Sequence, residues 1–192
     1  LHRVDRRQRQ MCIRDSKNFA PGNIGELIKV MKNKPGEVTF AHAGVGATSH
    51  LCAMLVNQTA GTQATMVPYK GTGPALQDVI SGNVNVICDQ PVATGSHIQA
   101  GLLKAYGVAT KARLDTLPNV PTFAGTGLPN FELSVWHGLY APKGTPAATI
   151  ERLNKAARTA LADPALVKRF TDMSVILSLI HISEPTRQAE NS

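Results

Sequence analysis

The stretch best suited to hold a ligand is Phe40-Ala41-His42-Ala43-Gly44-Val45-Gly46-Ala47-Thr48-Ser49-His50-Leu51. Glycine at 44 and 46 permits backbone angles that a Cβ forbids and lets another atom approach the main chain. Thr48 and Ser49 are good helix caps, and an apolar helical run follows. Strand, glycine turn and helix would present free N–H groups and a partial positive charge, which suits an anion. Two readings follow. In one, His42, Ala43, Gly44, Gly46, Ala47, Thr48 and Ser49 cradle a small carboxylate. In the other this is an ordinary strand-to-helix turn, since a lone Gly-x-Gly is weak evidence. Tyr69 and Lys70 lie on a second loop, where they either help close a cleft or respectively pack and face solvent. Asp89 and Gln90 follow a third strand. They are candidates for a pocket at the strand's C-terminal end, or caps for the next helix.

Other chemistries lack their residues. Ser49 and His50 are neighbours along a helix and point in different directions. There is no Gly-x-Ser-x-Gly elbow and no Gly-x-x-x-x-Gly-Lys-Ser/Thr loop. The third glycine of a dinucleotide fingerprint is replaced by Ser49. His50 and Cys52 do not share a helix face, so with His42 and Cys88 they make a poor metal site. Cys12, Cys52 and Cys88 show no CxxC spacing, and the latter two read as buried thiols. No paired carboxylates appear. The sequence points to binding without catalysis, cofactor or metal. His50 and His97 read as structural residues on helix faces, and Trp136 as a packing residue.

The elements that position these residues follow from periodicity. Gly22 to Lys34 is a helix with Ile24, Leu27, Ile28 and Met31 on one face. Val38–Phe40 is a strand, and about Thr48 to Thr59 a helix stopped by Gly61. Ala64–Val67 is a strand, and Ala75–Ile80 a short helix with Pro74 near its start. Val84–Ile87 is a strand, Thr94–Ala100 a helix, and Leu103–Ala109 a strand. Alternation through 37–109 predicts a parallel α/β sheet. Residues 110–122 form a polar, proline-containing connector that reads as a crossing between domains. Gly125 to Pro129 is a turn cluster, and Phe131 to Leu139 a strand. Thr145-Pro146 opens a helix as cap and first residue, and Asp163-Pro164 starts another, ending near Phe170.

The chain of 192 residues has a net charge of +7, 43% hydrophobic residues and 5% aromatics. Its basic residues are scattered and do not interleave with aromatics, which argues against nucleic-acid binding. No run approaches the roughly 18 apolar residues of a membrane span. Met11 to Ser16 and Leu177 to Glu190 resemble translated adapter sequence, so residues 1–17 and 171–192 are set aside from fold reasoning.

Several motifs together resemble the Bug/TctC family, the extracytoplasmic receptors of tripartite tricarboxylate transporters. They are Phe40 to Leu51, Val67-Pro68-Tyr69-Lys70-Gly71, Gly82-Asn83-Val84-Asn85-Val86 with Asp89, and His97 to Gly101. Leu117 to Phe123, Gly127-Leu128-Pro129 and Trp136 to Pro146 continue the match, which runs from about Ala20 to Phe170. The resemblance implies a two-lobed periplasmic-binding-protein fold of the type II, flytrap-like kind, with parallel-sheet α/β lobes, here truncated. It implies capture of a small organic acid (a di- or tricarboxylate or a related carboxylate) for membrane transporter subunits, in the periplasm, the signal peptide being lost by truncation. Main-chain amides and small hydroxyls would grasp the carboxylate. Residues 18–36 would end a first-lobe segment, 37–109 form lobe two, and 110–170 return to lobe one. The family usually has Ser where this chain has His42, which either faces the cleft and favours binding at lower pH or points into the lobe. Two alternatives stay open: the cytoplasmic effector-sensing domain of a transcription regulator, and an α/β enzyme holding phosphate on Gly44–Thr48.

Overall fold

In this computed structural model the described residues are 6–9, 12–16, 18–123, 126–128, 131–137 and 139–175. In chain order they form β1 (Arg6–Arg9), β2 (Cys12–Ser16), α1 (Ile24–Asn33), β3 (Thr39–His42), α2 (Thr48–Ala60) and β4 (Thr65–Pro68). Then come α3 (Thr72–Ser81), β5 (Val86–Asp89), α4 (Pro91–Gln99), β6 (Leu103–Val108), β7 (Ser134–His137), α5 (Ala147–Ala162) and α6 (Pro164–Asp172). The chain divides into two compact units, Arg9–Ser134, and Leu1–Gln8 with Val135–Ser192.

The larger unit is built on a five-stranded sheet of order β4-β3-β5-β2-β6. β3 runs parallel to β4 and to β5. β2 is antiparallel to both β5 and β6, so β6 points the same way as the parallel set. The expected parallel alternation through 37–109 is therefore present, but the sheet is mixed. Setting residues 1–17 aside does not hold for Cys12–Ser16: a slot between β5 and β6 takes this segment, and Ile13 is fully buried in it.

Side-chain alternation on the strands builds three layers. Phe40 packs with Leu27 and Met31 of α1 and Val56 of α2. Its neighbour Ala41 faces the opposite layer, against Ala75, Leu76 and Val79 of α3. α1 starts where Asn23 Oδ1 accepts from the Glu26 amide, while the Glu26 carboxylate accepts from the Gly22 amide, a reciprocal cap. Cys52 and Cys88 both lie on the α1/α2 side of the sheet, fully buried, and they are joined as a disulfide with a Cα separation of 6.0 Å. This corrects the expectation of two free thiols. Spacing along the chain carries no sign that α2 and β5 bring these sulfurs together.

Residues 110–122 do not leave this unit. Val108 donates its amide to Pro121 O at 2.8 Å, and Leu114, Leu117 and Val120 pack on Val108. A Cβ on Gly107 would sit 2.6 Å from the Phe123 ring. The boundary accordingly falls after Ser134, not after Ala109.

Several element ends also move. β3 and β5 extend to His42 and Asp89 because both continue their pairing in the sheet. α4 begins at Pro91, three residues before Thr94, with proline in its first turn. The strand expected over Phe131 to Leu139 shortens to β7. The Trp136 side chain lies outside the described features, as do Gly125 and Pro129 of the turn cluster and residues 176–192.

In the smaller unit β1 pairs with β7. The N-cap of α5 is Pro146, and Thr145 Oγ1 instead donates to Pro142 O. Asp163 caps α6 by accepting from the Leu166 amide.

Candidate functional site

β3, β4 and β5 run in one direction, so their C-terminal ends share one edge of the sheet. α2, α3 and α4 begin at that edge. Their N-caps are Ala47, Gly71 and Gln90; none makes a side-chain cap, and none of the three first turns carries an acidic residue. α1, whose N-terminus follows none of these strands, is capped by Asn23 and carries Glu26. The first amides of a helix have no partner within the helix, and the positive dipole end lies there. In α3 and α4 a proline removes one of these amides, and Ala93 already donates to Gln90 O at 3.0 Å, so α2 keeps the fullest set of first-turn N–H groups.

The turn from β3 into α2 is fastened at several points. Gly44 and Gly46 have φ of +127° and +79°, positions that L side chains rarely adopt. Gly44 O accepts from the Ala47 amide at 3.1 Å. Ser49 is buried, and its Oγ accepts from the Ala43 amide at 2.9 Å. Ser49 and the Ala43 amide therefore brace the turn by bonding each other. The amides of Thr48, Ser49 and His50 are the first-turn groups of α2. Val45, between the two glycines, is 85% exposed at the tip.

His42 ends β3 and is 2% exposed. Its Nδ1 lies 3.0 Å from Gly44 O, and its ring sits 4.4 Å from that of His50. Of the two orientations considered for His42, it takes the inward one, folded onto its own turn. His50, read as a purely structural helix residue, accepts from the Gly46 amide through Nδ1 at 3.2 Å. Sequence alone missed this; the signal was the i, i+4 spacing of His50 after Gly46.

The second loop is joined to the first. The Tyr69 amide donates to His42 O at 2.9 Å, and the Gly71 amide to Ala43 O at 3.2 Å. The Tyr69 hydroxyl turns away to α3 and donates to Asp78 Oδ2 at 2.7 Å. Burial, then that bond and the adjacent carboxylate charge, push the Tyr69 hydroxyl up to about 12. Hydrogen bonds from Tyr69 and Asn83 hold Asp78 below its ordinary value. Lys70 is exposed.

Asp89 ends β5 and is buried. Its Oδ2 accepts from Thr72 Oγ1 at 2.8 Å, and its Oδ1 accepts from the Gln90 amide at 2.7 Å. Asp89 thus ties the start of α3 to the start of α4 and answers part of their positive ends with its own charge. Gln90 serves as the N-cap of α4, its carbonyl accepting from Thr94 Oγ1. Thr72, missed from sequence, was legible as a hydroxyl directly ahead of Gly73-Pro74. α2 is left as the helix whose first turn no side chain of this group answers. Among the described residues no three His, Cys, Asp or Glu side chains group to hold a metal. No described helix is long and apolar enough to cross a membrane.

The fold is the α/β fold of periplasmic binding proteins. The family model "Tripartite tricarboxylate transporter family receptor" matches residues 10–179, and the chain belongs to that family. A UPF0065 protein of Agrobacterium vitis, from the TAR-I ttuE-ttuC' intergenic region, is 45% identical over 86% of this chain and 48% of its own length. The structure of the periplasmic binding protein BugD superposes with a TM-score of 0.85 at 36% identity, over 94% of this chain and 60% of that one. MatC from Rhodopseudomonas palustris with bound malate gives 0.86 at 33%, over 92% and 60%. The chain thus spans about half the length of the curated relative. The family is one of receptors and not of enzymes.

Proposed function

We propose that this chain carries the ligand-gripping lobe of an extracytoplasmic receptor. It captures a small organic acid, a di- or tricarboxylate, and hands it to the membrane subunits of a tripartite tricarboxylate-type transporter. The observation that carries the reading is the row of uncapped helix starts on α2, α3 and α4, with the first turn of α2 open to an anion. Gly44, Gly46, Ala47, Thr48 and Ser49 shape that turn, and one carboxylate of the ligand docks on its amides. Val45 at the tip offers the carbon skeleton an apolar contact. Asp89, Gln90 and Tyr69 act by holding the three helix starts in register. The malate bound by MatC supports this ligand class.

The residues from Arg9 to Ser134 form lobe two, and those after Val135 return toward lobe one. The periplasm is the compartment, and the buried Cys52–Cys88 disulfide suits its oxidising conditions.

The test is a thermal-shift series on the full-length protein with mono-, di- and tricarboxylates and inorganic phosphate. A true ligand at a hundred times its Kd adds about 2.7 kcal/mol of stability, which reads as several degrees in Tm. A shift with phosphate and none with any carboxylate would overturn the reading.

A further inference from the structure

We propose that the Cys52–Cys88 disulfide is a redox latch on α2: the oxidised chain holds the carboxylate, and reduction loosens α2 and weakens capture. The inference rests on the carboxylate reading above and adds its regulation. Its basis is the way α2 is held. The buried face of this helix is Ser49, Cys52, Ala53, Val56 and Ala60. These are small side chains, with Leu55 half-buried beside them, while Leu51 and Met54 stand 54% and 50% exposed. α1, on the same side of the sheet, buries Ile24, Leu27, Ile28 and Met31. Burial stabilises in proportion to the apolar area removed from water, so packing holds α2 less firmly than α1. No side chain caps the start of α2, and the helix has no Asp, Glu, Lys or Arg with which to form an ion pair.

The disulfide supplies the missing hold. Cys52 follows Ser49 by three residues on the same face of α2, and Cys88 stands directly before Asp89. Ser49 braces the Ala43 amide, and Asp89 accepts from Thr72 Oγ1 and from the Gln90 amide. One covalent bond therefore ties the turn that leads into α2 to the carboxylate that fixes the starts of α3 and α4.

A dithiol opens the latch. One of its thiolates attacks a protein sulfur, which forms a mixed disulfide and frees the other protein sulfur as a thiol. The second thiolate then displaces the first protein sulfur. The reagent leaves as its own disulfide, and two electrons and two protons have passed to Cys52 and Cys88. Both cysteines are fully buried, so the reagent reaches them only when α2 lifts from the sheet. Once the bond is broken, that lifting meets no covalent restraint. The ligand binds the seated form of α2, and apparent affinity falls with the seated fraction. Linkage runs both ways, so a bound carboxylate keeps α2 seated and slows reduction. A chain that has not yet met an oxidant is a poor receptor, and oxidation makes it competent.

The test compares the full-length protein oxidised and reduced by dithiothreitol, with malate and citrate as probes. On reduction, hydrogen exchange should rise in α2 about tenfold more than in β3 and β4. Calorimetry should show the carboxylate bound about tenfold more weakly by the reduced chain. Carboxylate at a hundred times its Kd should slow reduction of the wild type about a hundredfold. Cys52→Ala with Cys88→Ala should bind as the reduced chain does, with or without dithiothreitol. An equal rise of exchange in α2 and in the strands makes the disulfide a staple of the whole unit and overturns the inference. Equal affinity of the two forms also overturns it and leaves the carboxylate reading intact. If the oxidised chain binds neither probe, the carboxylate reading falls, and the exchange comparison still decides whether the disulfide latches α2.

Discussion

At the scale of single residues, main-chain geometry shapes the turn from β3 into α2, and side chains serve that geometry. Ser49 shows this best. Its hydroxyl accepts from the Ala43 amide and holds it inside the turn. Ser49→Ala leaves that part-buried amide without its partner, and chemical denaturation should show a loss of about 1 kcal/mol. Gly44→Ala forces a side chain into a φ of +127°, at a cost of about 1–3 kcal/mol. Calorimetry of that variant should show weakened ligand binding with the fold kept. Tyr69 gives a pH signature. Its hydroxyl is held neutral up to about 12 against an ordinary 10. The folded state therefore binds the proton more tightly than the unfolded one. That stability is present below pH 10 and is lost as pH rises through about 12. The gap in denaturant midpoint between wild type and Tyr69→Phe should close over that window. The backbone part of this site was legible in sequence, because glycine spacing ahead of cap residues speaks directly of backbone angles. The partners of Ser49, Tyr69 and Asp89 were not legible, since each is chosen by a fold-level approach of two segments.

At the scale of elements, periodicity located the helices and strands well wherever one face is buried, as in α1 with Ile24, Leu27, Ile28 and Met31. It failed where pairing decides. β5 reaches Asp89 because Cys88 and Asp89 pair with β2, and nothing local in Val84-Asn85-Val86-Ile87 announces that partner. The disulfide is another such event. It fastens α2 to the strand that ends in Asp89. Closing a loop of 36 residues stabilises by about 4 kcal/mol in the chain-entropy account. Cys52→Ala with Cys88→Ala should lower the denaturant midpoint accordingly, and reducing agent should do the same to wild type only after it opens, because both sulfurs are buried. Gly107 is a second element-scale constraint. Gly107→Ala must displace the Phe123 ring or its connector, and protease cleavage within residues 110–122 should speed up in that variant.

At the scale of the whole molecule, the α/β architecture and the receptor family were legible from motif order, while the sheet's composition was not. Cys12–Ser16 has polar residues around a single Ile13, with no alternation to mark a strand, and it acquires its place only because β5 and β6 leave room. Deleting residues 1–17 should therefore separate β6 from β5, and hydrogen exchange at Val86–Asp89 and Leu103–Val108 should rise in the deletion. The reversed strand also sets the order in which the chain can assemble. β2 lies near the start of the sequence, but its two neighbours end at residues 89 and 108. β2 is flanked on both sides only once the residues through Val108 are in place. Contacts this distant in sequence make folding slow. A variant that carries a second copy of the β2 segment directly after β6, with the original removed, should refold faster in stopped-flow kinetics.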